Sequence, residues 1–332
     1  MGQSQRAAIV GLSGPALSAD EQLMLAETPP LGIILFKRNI QNKPQLIDLV
    51  RAIRQSAPGM LLMVDQEGGR VARLRPPDWL EHPPAAALGG LYARDPAAGR
   101  RAAFLTGALI GADCATAGFD VVCAPVLDLS VQGADAVIGD RAYASEPAVV
   151  AVLAAETANG LLAAGMQPVG KHAPGHGRAG VDSHLALPEL DDVDEADLAP
   201  FRANAWLPWM MTAHILYRRL DPLQPATLSQ TVLQDVVRQR VGFNNVLVSD
   251  DLSMHAVSGD PGLLAAAALS AGCDVALHCS GVLAETRAVL QAVPVPAVAA
   301  AARLAAAARL AGGRTQPLDV PAMVAERAAL FG

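Results

Sequence analysis

The sequence predicts an α/β fold, a single (β/α)8 barrel of the TIM type with room for irregular strands, and three observations carry that reading. Eight short apolar runs recur along the chain, most of them separated by stretches with helical spacing. The runs lack strict polar alternation, as strands of a parallel sheet buried on both faces do. The first run is followed by Gly11-Leu-Ser-Gly14, so the G-x-G-x-x-G expected of the runner-up, an open doubly wound sheet, is missing. No period of 20 to 50 residues recurs and no linker-like stretch divides the chain, so residues 1–332 are read as one domain.

Taken in order, Ala7 to Leu12 is the first strand, and Ser18-Ala-Asp-Glu21 opens a helix with a capping residue and early acids that ends before Pro29-Pro30. Gly32 to Phe36 is the second strand, and Asn42 caps a helix to Ala57 with Pro44 in its first turn. Leu61 to Val64 is the third, ending in a Gly-Gly turn read as a loop; Arg75 to Pro84 is proline-rich and irregular. A long helix from Asp95-Pro96 to about Gly118 leads to a fourth strand, Phe119 to Leu127, and Glu146-Pro147 begins the helix before the fifth, Gln167 to Val169. The connection that follows reaches Pro188 and is the longest in the chain; glycines 170, 175, 177 and 180 give it freedom to move over a pocket. Trp209 to Ile215, Asn245 to Ser249 and Asp274 to His278 complete the strands, with a helix from Leu228 to Arg240 and an alanine-rich helical remainder from Leu283.

With 52% hydrophobic and 17% charged residues the chain is globular and able to bury a large core. A net charge of −7 without long basic blocks argues against a nucleic-acid partner. The apolar run at Ala7 to Leu12 is too short for a signal-peptide core or a membrane span, and Met1-Gly2 lacks the Ser or Thr at position 6 that myristoylation requires, so a cytoplasmic protein without membrane contact is expected; a monomer is expected as well, though no motif specifies the oligomeric state. Cys114, Cys123, Cys273 and Cys279 form no C-x-x-C pair and lie in apolar segments, as reduced core thiols do.

Titratable residues concentrate at strand ends, above all in Lys171-His-Ala-Pro-Gly-His-Gly177 and Asp182-Ser-His184. Pro174 and Gly175 remove the helical geometry in which His172 and His176 would bind zinc, so no metal or organic cofactor is expected. Asp182 and His184 lie two apart, which in an extended segment points both side chains to one face, where the carboxylate can hold one imidazole nitrogen and free the other for acid/base work. A capped surface loop with incidental histidines fits the same residues, and residue type alone does not choose. Asp65-Gln-Glu-Gly-Gly-Arg70-Val-Ala-Arg73 reads as a ligand-contacting loop or as a solvated turn with salt bridges. Gly139-Asp-Arg141 and Ser249-Asp-Asp-Leu-Ser-Met254 add Arg141 and a carboxylate pair. On a barrel, all of these ends share one face. One carboxylate, one histidine dyad and several cationic groups suit acid-assisted displacement, of which glycoside cleavage is an example.

In these five motifs, taken in their order along the chain and spanning the whole of it, the sequence resembles the family 3 glycoside hydrolases, specifically the single-domain bacterial β-N-acetylhexosaminidases that recycle cell-wall fragments. The resemblance implies Asp250 as nucleophile and His184 as acid/base oriented by Asp182. It also implies Asp65, Arg73, Arg141, Lys171 and His172 as contacts for the N-acetylglucosamine at the non-reducing end of a muropeptide, with Asp251 a structural neighbour. Ala173 stands where the family usually has an aromatic residue. A phosphorylase releasing a sugar 1-phosphate and a non-catalytic sugar-binding barrel are the competing readings; the second would lack the nucleophile or the dyad, and both are present here.

Overall fold

The computed structural model describes residues 4–332. Met1-Gly2, on which the myristoylation argument rests, lies outside the described residues. Eight parallel strands close a barrel in chain order: β1 (Arg6–Gly11), β2 (Pro30–Leu35), β3 (Leu61–Val64), β4 (Val121–Val122), β5 (Gln167–Ala173), β6 (Trp209–Thr212), β7 (Val246–Asp251) and β8 (Val275–His278), with β8 returning to β1. Alternate residues of each strand enter two different apolar clusters. Ile9, Ile34, Met63, Val121, Val169, Trp209, Val246 and Leu277 fill the barrel, while Val10, Leu35, Val64, Val122 and Leu247 pack outward against helices. That two-sided burial is why the strands are apolar without alternation.

The first helices form as their termini dictate. Ser18 and Glu21 make a reciprocal capping box at the start of α1 (Ala19–Glu27), and the Asn42 side chain accepts from the Gln45 amide at the start of α2 (Lys43–Ser56). The next pair is α3 (Ala85–Arg94) and α4 (Pro96–Ala117), the latter capped by Asp95; then come α5 (Pro147–Ala163) and α6 (Glu195–Ala203). Val232–Arg240 winds as a π-helix, and α7 (Pro261–Ala271), α8 (Leu283–Ala292), α9 (Val298–Arg314) and α10 (Val320–Phe331) complete the chain. Among the described residues no helix is long and apolar enough to cross a membrane, and the four cysteines are free and buried.

Several expectations need correction. The fourth strand shrinks from Phe119–Leu127 to Val121–Val122, because Pro125 has no N–H to give the ladder; pairing resumes only as an isolated bridge from Val126 to Lys171. The loop after Val64 is a small antiparallel hairpin, Gln66–Gly68 with Val71–Ala72. Its plug is the buried Gln66 side chain, which accepts from the Arg73 and Leu74 amides and donates to the Leu74 carbonyl. The fifth strand continues to Ala173, so Lys171 and His172 sit on the barrel wall and not on a loop. The helix before β7 starts at Val232 and not at Leu228.

Candidate active site

Three strand ends contribute chemical groups to one mouth. Asp65 leaves β3, Lys171 and His172 close β5, and Asp250 and Asp251 close β7, while Arg73 and Arg141 reach in from the hairpin and the turn at Gly139–Arg141. These residues, with Asp182 and His184, line a single cleft of about 320 Å³. That is the small end of ligand sites, typically ~300–1,000 Å³, and it suits one sugar residue better than a polymer.

Three cations and three carboxylates balance at the floor of the cleft. Lys171 Nζ donates to Asp65 Oδ1 (2.9 Å) and meets Glu67 Oε1 at 2.6 Å. Arg73 bonds Asp65 Oδ2 at 3.0 Å, and Arg141 grips Glu67 through two bonds of 2.8 and 2.9 Å; Asp250 is the third carboxylate. Burial raises the carboxyl pKa values, but the charges of Lys171 and its arginine neighbours outweigh it, leaving Asp65 far below the carboxylate range and Glu67 at about 2. Burial disfavours the charged Lys171, and Asp65 and Glu67 reverse that too, raising its pKa. The stability these carboxylates contribute is fully present above their unfolded pKa values of roughly 4 and is lost as pH falls toward their folded values. Two of the three ammonium protons of Lys171 are committed, so one is left for a ligand hydroxyl. Lys171→Met should cost about 3 kcal/mol of unfolding free energy, the lower end for breaking a buried pair, since the arginines remain. A denaturant midpoint equal to wild type would contradict this.

Asp250 is held from behind. Its amide donates to Thr212 Oγ1 (3.1 Å) and its Oδ1 accepts the Asp251 amide (2.8 Å). Burial pushes the Asp250 pKa up; His214, His172, the Asp251 amide and Lys171 more than compensate, so the carboxylate lies below its ordinary value and is ionised at neutral pH. The Asp251 carboxylate is committed to structure, accepting the Cys279 and Ser253 amides at 2.9 Å each, and its carbonyl takes the Nε2–H of buried His214 (2.9 Å).

Across the cleft, His184 Nδ1 lies 2.7 Å from Asp182 Oδ1, which also accepts the His184 amide. Burial raises the Asp182 pKa, and these two His184 groups lower it below the usual range. The His184 side chain is 63% exposed, in contrast to the enclosed Asp250. Its loop is tethered at the backbone: His255 Nδ1 donates to the His184 carbonyl (2.9 Å), the Ala256 amide to the Ser183 carbonyl (3.2 Å), and Ser183 Oγ meets His176 Nε2 at 3.0 Å. Two of the glycines read as hinges do something else. Side chains at Gly170 or Gly177 would collide with Leu127 and the Leu129 carbonyl, so both serve close packing.

The glycosyl hydrolase family 3 N-terminal domain matches residues 6–311. The chain belongs to that family. It is 43% identical over 284 residues to a β-hexosaminidase of Alkalilimnicola ehrlichii, covering 82% of this chain and 80% of that protein. It is 43% identical over 277 residues to one of Methylococcus capsulatus, covering 81% of each. The crystal structure of NagZ from Neisseria gonorrhoeae in complex with N-trifluoroacetyl-D-glucosamine superposes with a TM-score of 0.87 at 32% identity, over 99% of both chains.

This family 3 chain also uses residues that the sequence reading passed over. Asp128, buried just beyond β4, takes His172 Nδ1 at 2.6 Å and the His176 amide at 2.7 Å; burial raises its pKa and the two histidines bring it below the normal range. His172 Nε2 is the ring nitrogen left for the cleft, and Arg141 lies 3.5 Å from it. A carboxylate directly after an apolar run was the available signal. Glu67, the carboxylate of the hairpin after β3, is gripped by Arg141 and Lys171, which holds it ionised and unsuited to proton donation.

Proposed function

We propose that this β-N-acetylhexosaminidase removes the non-reducing terminal β-1,4-linked N-acetylglucosamine from cell-wall muropeptides in the cytoplasm, with retention of configuration through a covalent glycosyl-enzyme. The observation that carries it is the pairing, in one cleft, of an enclosed ionised carboxylate, Asp250, with a solvent-facing Asp182–His184 dyad. Asp250 attacks the anomeric carbon as the glycosidic bond breaks, and His184 gives its proton to the departing oxygen. Water then enters, His184 takes its proton, and the hydroxide oxygen displaces Asp250. Asp182 fixes the imidazole with Nδ1–H inward and stabilises its protonated form. Asp65, Arg73, Arg141, Lys171 and His172 grip the sugar hydroxyls, and charged hydrogen bonds of this kind contribute roughly 1.5–3 kcal/mol each.

The sugar identity is supported by the N-trifluoroacetyl-D-glucosamine named with the Neisseria structure, and exo action by the size of the cleft. The muropeptide substrate and the cytoplasmic setting rest on the motif resemblance. Nuclear magnetic resonance of the first product from an aryl N-acetyl-β-glucosaminide should show the β anomer; an α product sinks the nucleophile assignment. In phosphate buffer the product should remain free N-acetylglucosamine, and accumulation of its 1-phosphate would favour a phosphorylase. Among the described residues no group of three or more His, Cys, Asp or Glu is placed to hold a metal, so activity should survive dialysis against EDTA. Loss of activity that zinc restores would reverse that.

A further inference from the structure

The hairpin carrying Glu67 rests on a segment that is itself gripped from outside the barrel. The Gly69 amide donates to the His82 carbonyl at 2.9 Å. A side chain at Gly68 would strike the Pro83 carbonyl, and one at Gly69 the Pro84 ring, so the turn lies directly on residues 82–84. Behind it, Asp113 of α4 accepts the Leu80 amide (3.1 Å) and the His82 Nε2–H (3.0 Å). From the other side Arg327 of α10 donates to His82 Nδ1 (3.0 Å) and to the Glu81 carbonyl (3.0 Å). Arg327 as a whole is only 9% exposed. α10 is seated on α4 by Met323, which packs with Leu105 and Leu109, and by a two-bond pair of Arg101 with Glu326 (2.7 and 2.8 Å). The family match ends at residue 311, before this helix begins.

We propose that Arg327 is a positioning residue for sugar binding: acting through His82, it fixes the segment under the Gly68–Gly69 turn, so that the docking of α10 sets the affinity of the cleft for its hexosamine. This rests on the reading of Asp65, Arg73 and Lys171 as sugar contacts, because Glu67 is the residue that orders Lys171 and Arg141 from the hairpin. Arginine can only donate, so His82 Nδ1 must be the bare nitrogen and the ring is neutral, with its one proton on Nε2. The charged groups facing the ring are Asp113 from α4 and Arg327 from α10. Burial first, and Arg327 second to the opposing bond from Asp113, leave its pKa below the ordinary histidine value. A histidine of that kind contributes stability above its unfolded pKa of roughly 6.5 and loses it as pH falls through the lower folded value. Protonation would place a hydrogen on Nδ1 against the guanidinium, so acid loosens the same joint that removal of Arg327 loosens.

The test uses the full-length chain with Arg327→Met, Arg327→Lys and His82→Gln, each followed by thermal unfolding. Two readouts are compared at pH 7 and pH 5: hydrogen–deuterium exchange of residues 66–84, and the inhibition constant of N-acetylglucosamine against an aryl glycoside. Arg327→Met should speed exchange in 66–84 by roughly tenfold or more and raise the inhibition constant by about threefold to tenfold, with kcat within about twofold of wild type. Arg327→Lys, which keeps one donor, should recover part of both. His82→Gln offers Arg327 an oxygen and Asp113 an N–H but does not titrate, so it should match wild type at pH 7 and lose the acid-induced loosening. A fall in melting temperature with unchanged exchange in 66–84 and an unchanged inhibition constant would overturn the proposal, leaving Arg327 a stabilising contact only. Failure of wild type to bind N-acetylglucosamine would overturn the functional reading instead, since the exchange measurement does not need the sugar.

Discussion

Asp250→Ala is expected to lower turnover by roughly 10⁴- to 10⁶-fold, the scale set by removing the nucleophile of a covalent mechanism. The loss should be chemical. The Asp250 carboxylate accepts the neighbouring Asp251 amide, whereas Asp251 carries the bonds to Ser253 and to the Cys279 amide at the end of β8, so the variant should unfold near the wild-type temperature. A slow fluorinated N-acetylglucosaminide should add one sugar mass to the wild type and none to the variant. Azide, small enough for the space left by the carboxylate, should restore some turnover and give the inverted α-glycosyl azide. A residual rate above a few per cent of wild type on both natural and activated substrates would remove Asp250 from the nucleophile role.

The second large effect is at His184. His184→Ala should slow cleavage of a substrate with a poor leaving group by roughly 10²- to 10⁴-fold, the usual contribution of a positioned acid/base. With an activated aryl glycoside the leaving oxygen needs little protonation, so formation of the glycosyl-enzyme should be far less impaired and its hydrolysis should become limiting. A burst of aryl alcohol would report this, and azide should accelerate turnover with retained configuration. Asp182→Asn should also slow the enzyme, because the amide cannot stabilise the imidazolium. Equal slowing of glycosyl-enzyme formation for good and poor leaving groups would show that another group supplies the proton. Glu67 is a weak substitute: a carboxyl with a pKa of about 2, held by Arg141 and Lys171, carries no proton at neutral pH.

What could be read in the sequence was what strand geometry repeats. Apolar runs without alternation announced a parallel barrel, and charged residues after Val64, Gly170 and Ser249 announced its active face. The misreadings came where a tertiary contact decides. α3 has no counterpart among the expected elements; Gly89-Gly90 weakens its helix propensity, yet Gly89 is there because any side chain would strike the Tyr143 carbonyl. Asp128 carried no motif of its own; its importance appears only when β4 and β5 lie side by side and its carboxylate meets two histidine backbones and one imidazole. The distribution of duty within the Asp65–Arg73 stretch was equally hidden, since nothing in the order of letters tells that Gln66 turns inward to pin the hairpin while Glu67 meets the cations.

The placement of Asp250 on a barrel strand and of His184 on an exposed loop has a thermal consequence. The strand is hydrogen-bonded to neighbours on both sides within the closed barrel, so it should open only with the barrel as a whole, whereas the loop is held to its surroundings by a few hydrogen bonds near residues 183–184 and 255–256. On the proposed assignment of roles, heating disarms the proton donor before it disarms the nucleophile. Hydrolysis should then reach its optimum and decline some degrees below the temperature at which the protein unfolds. Heat tolerance of the catalyst and heat tolerance of the fold would answer to substitutions in different parts of the chain.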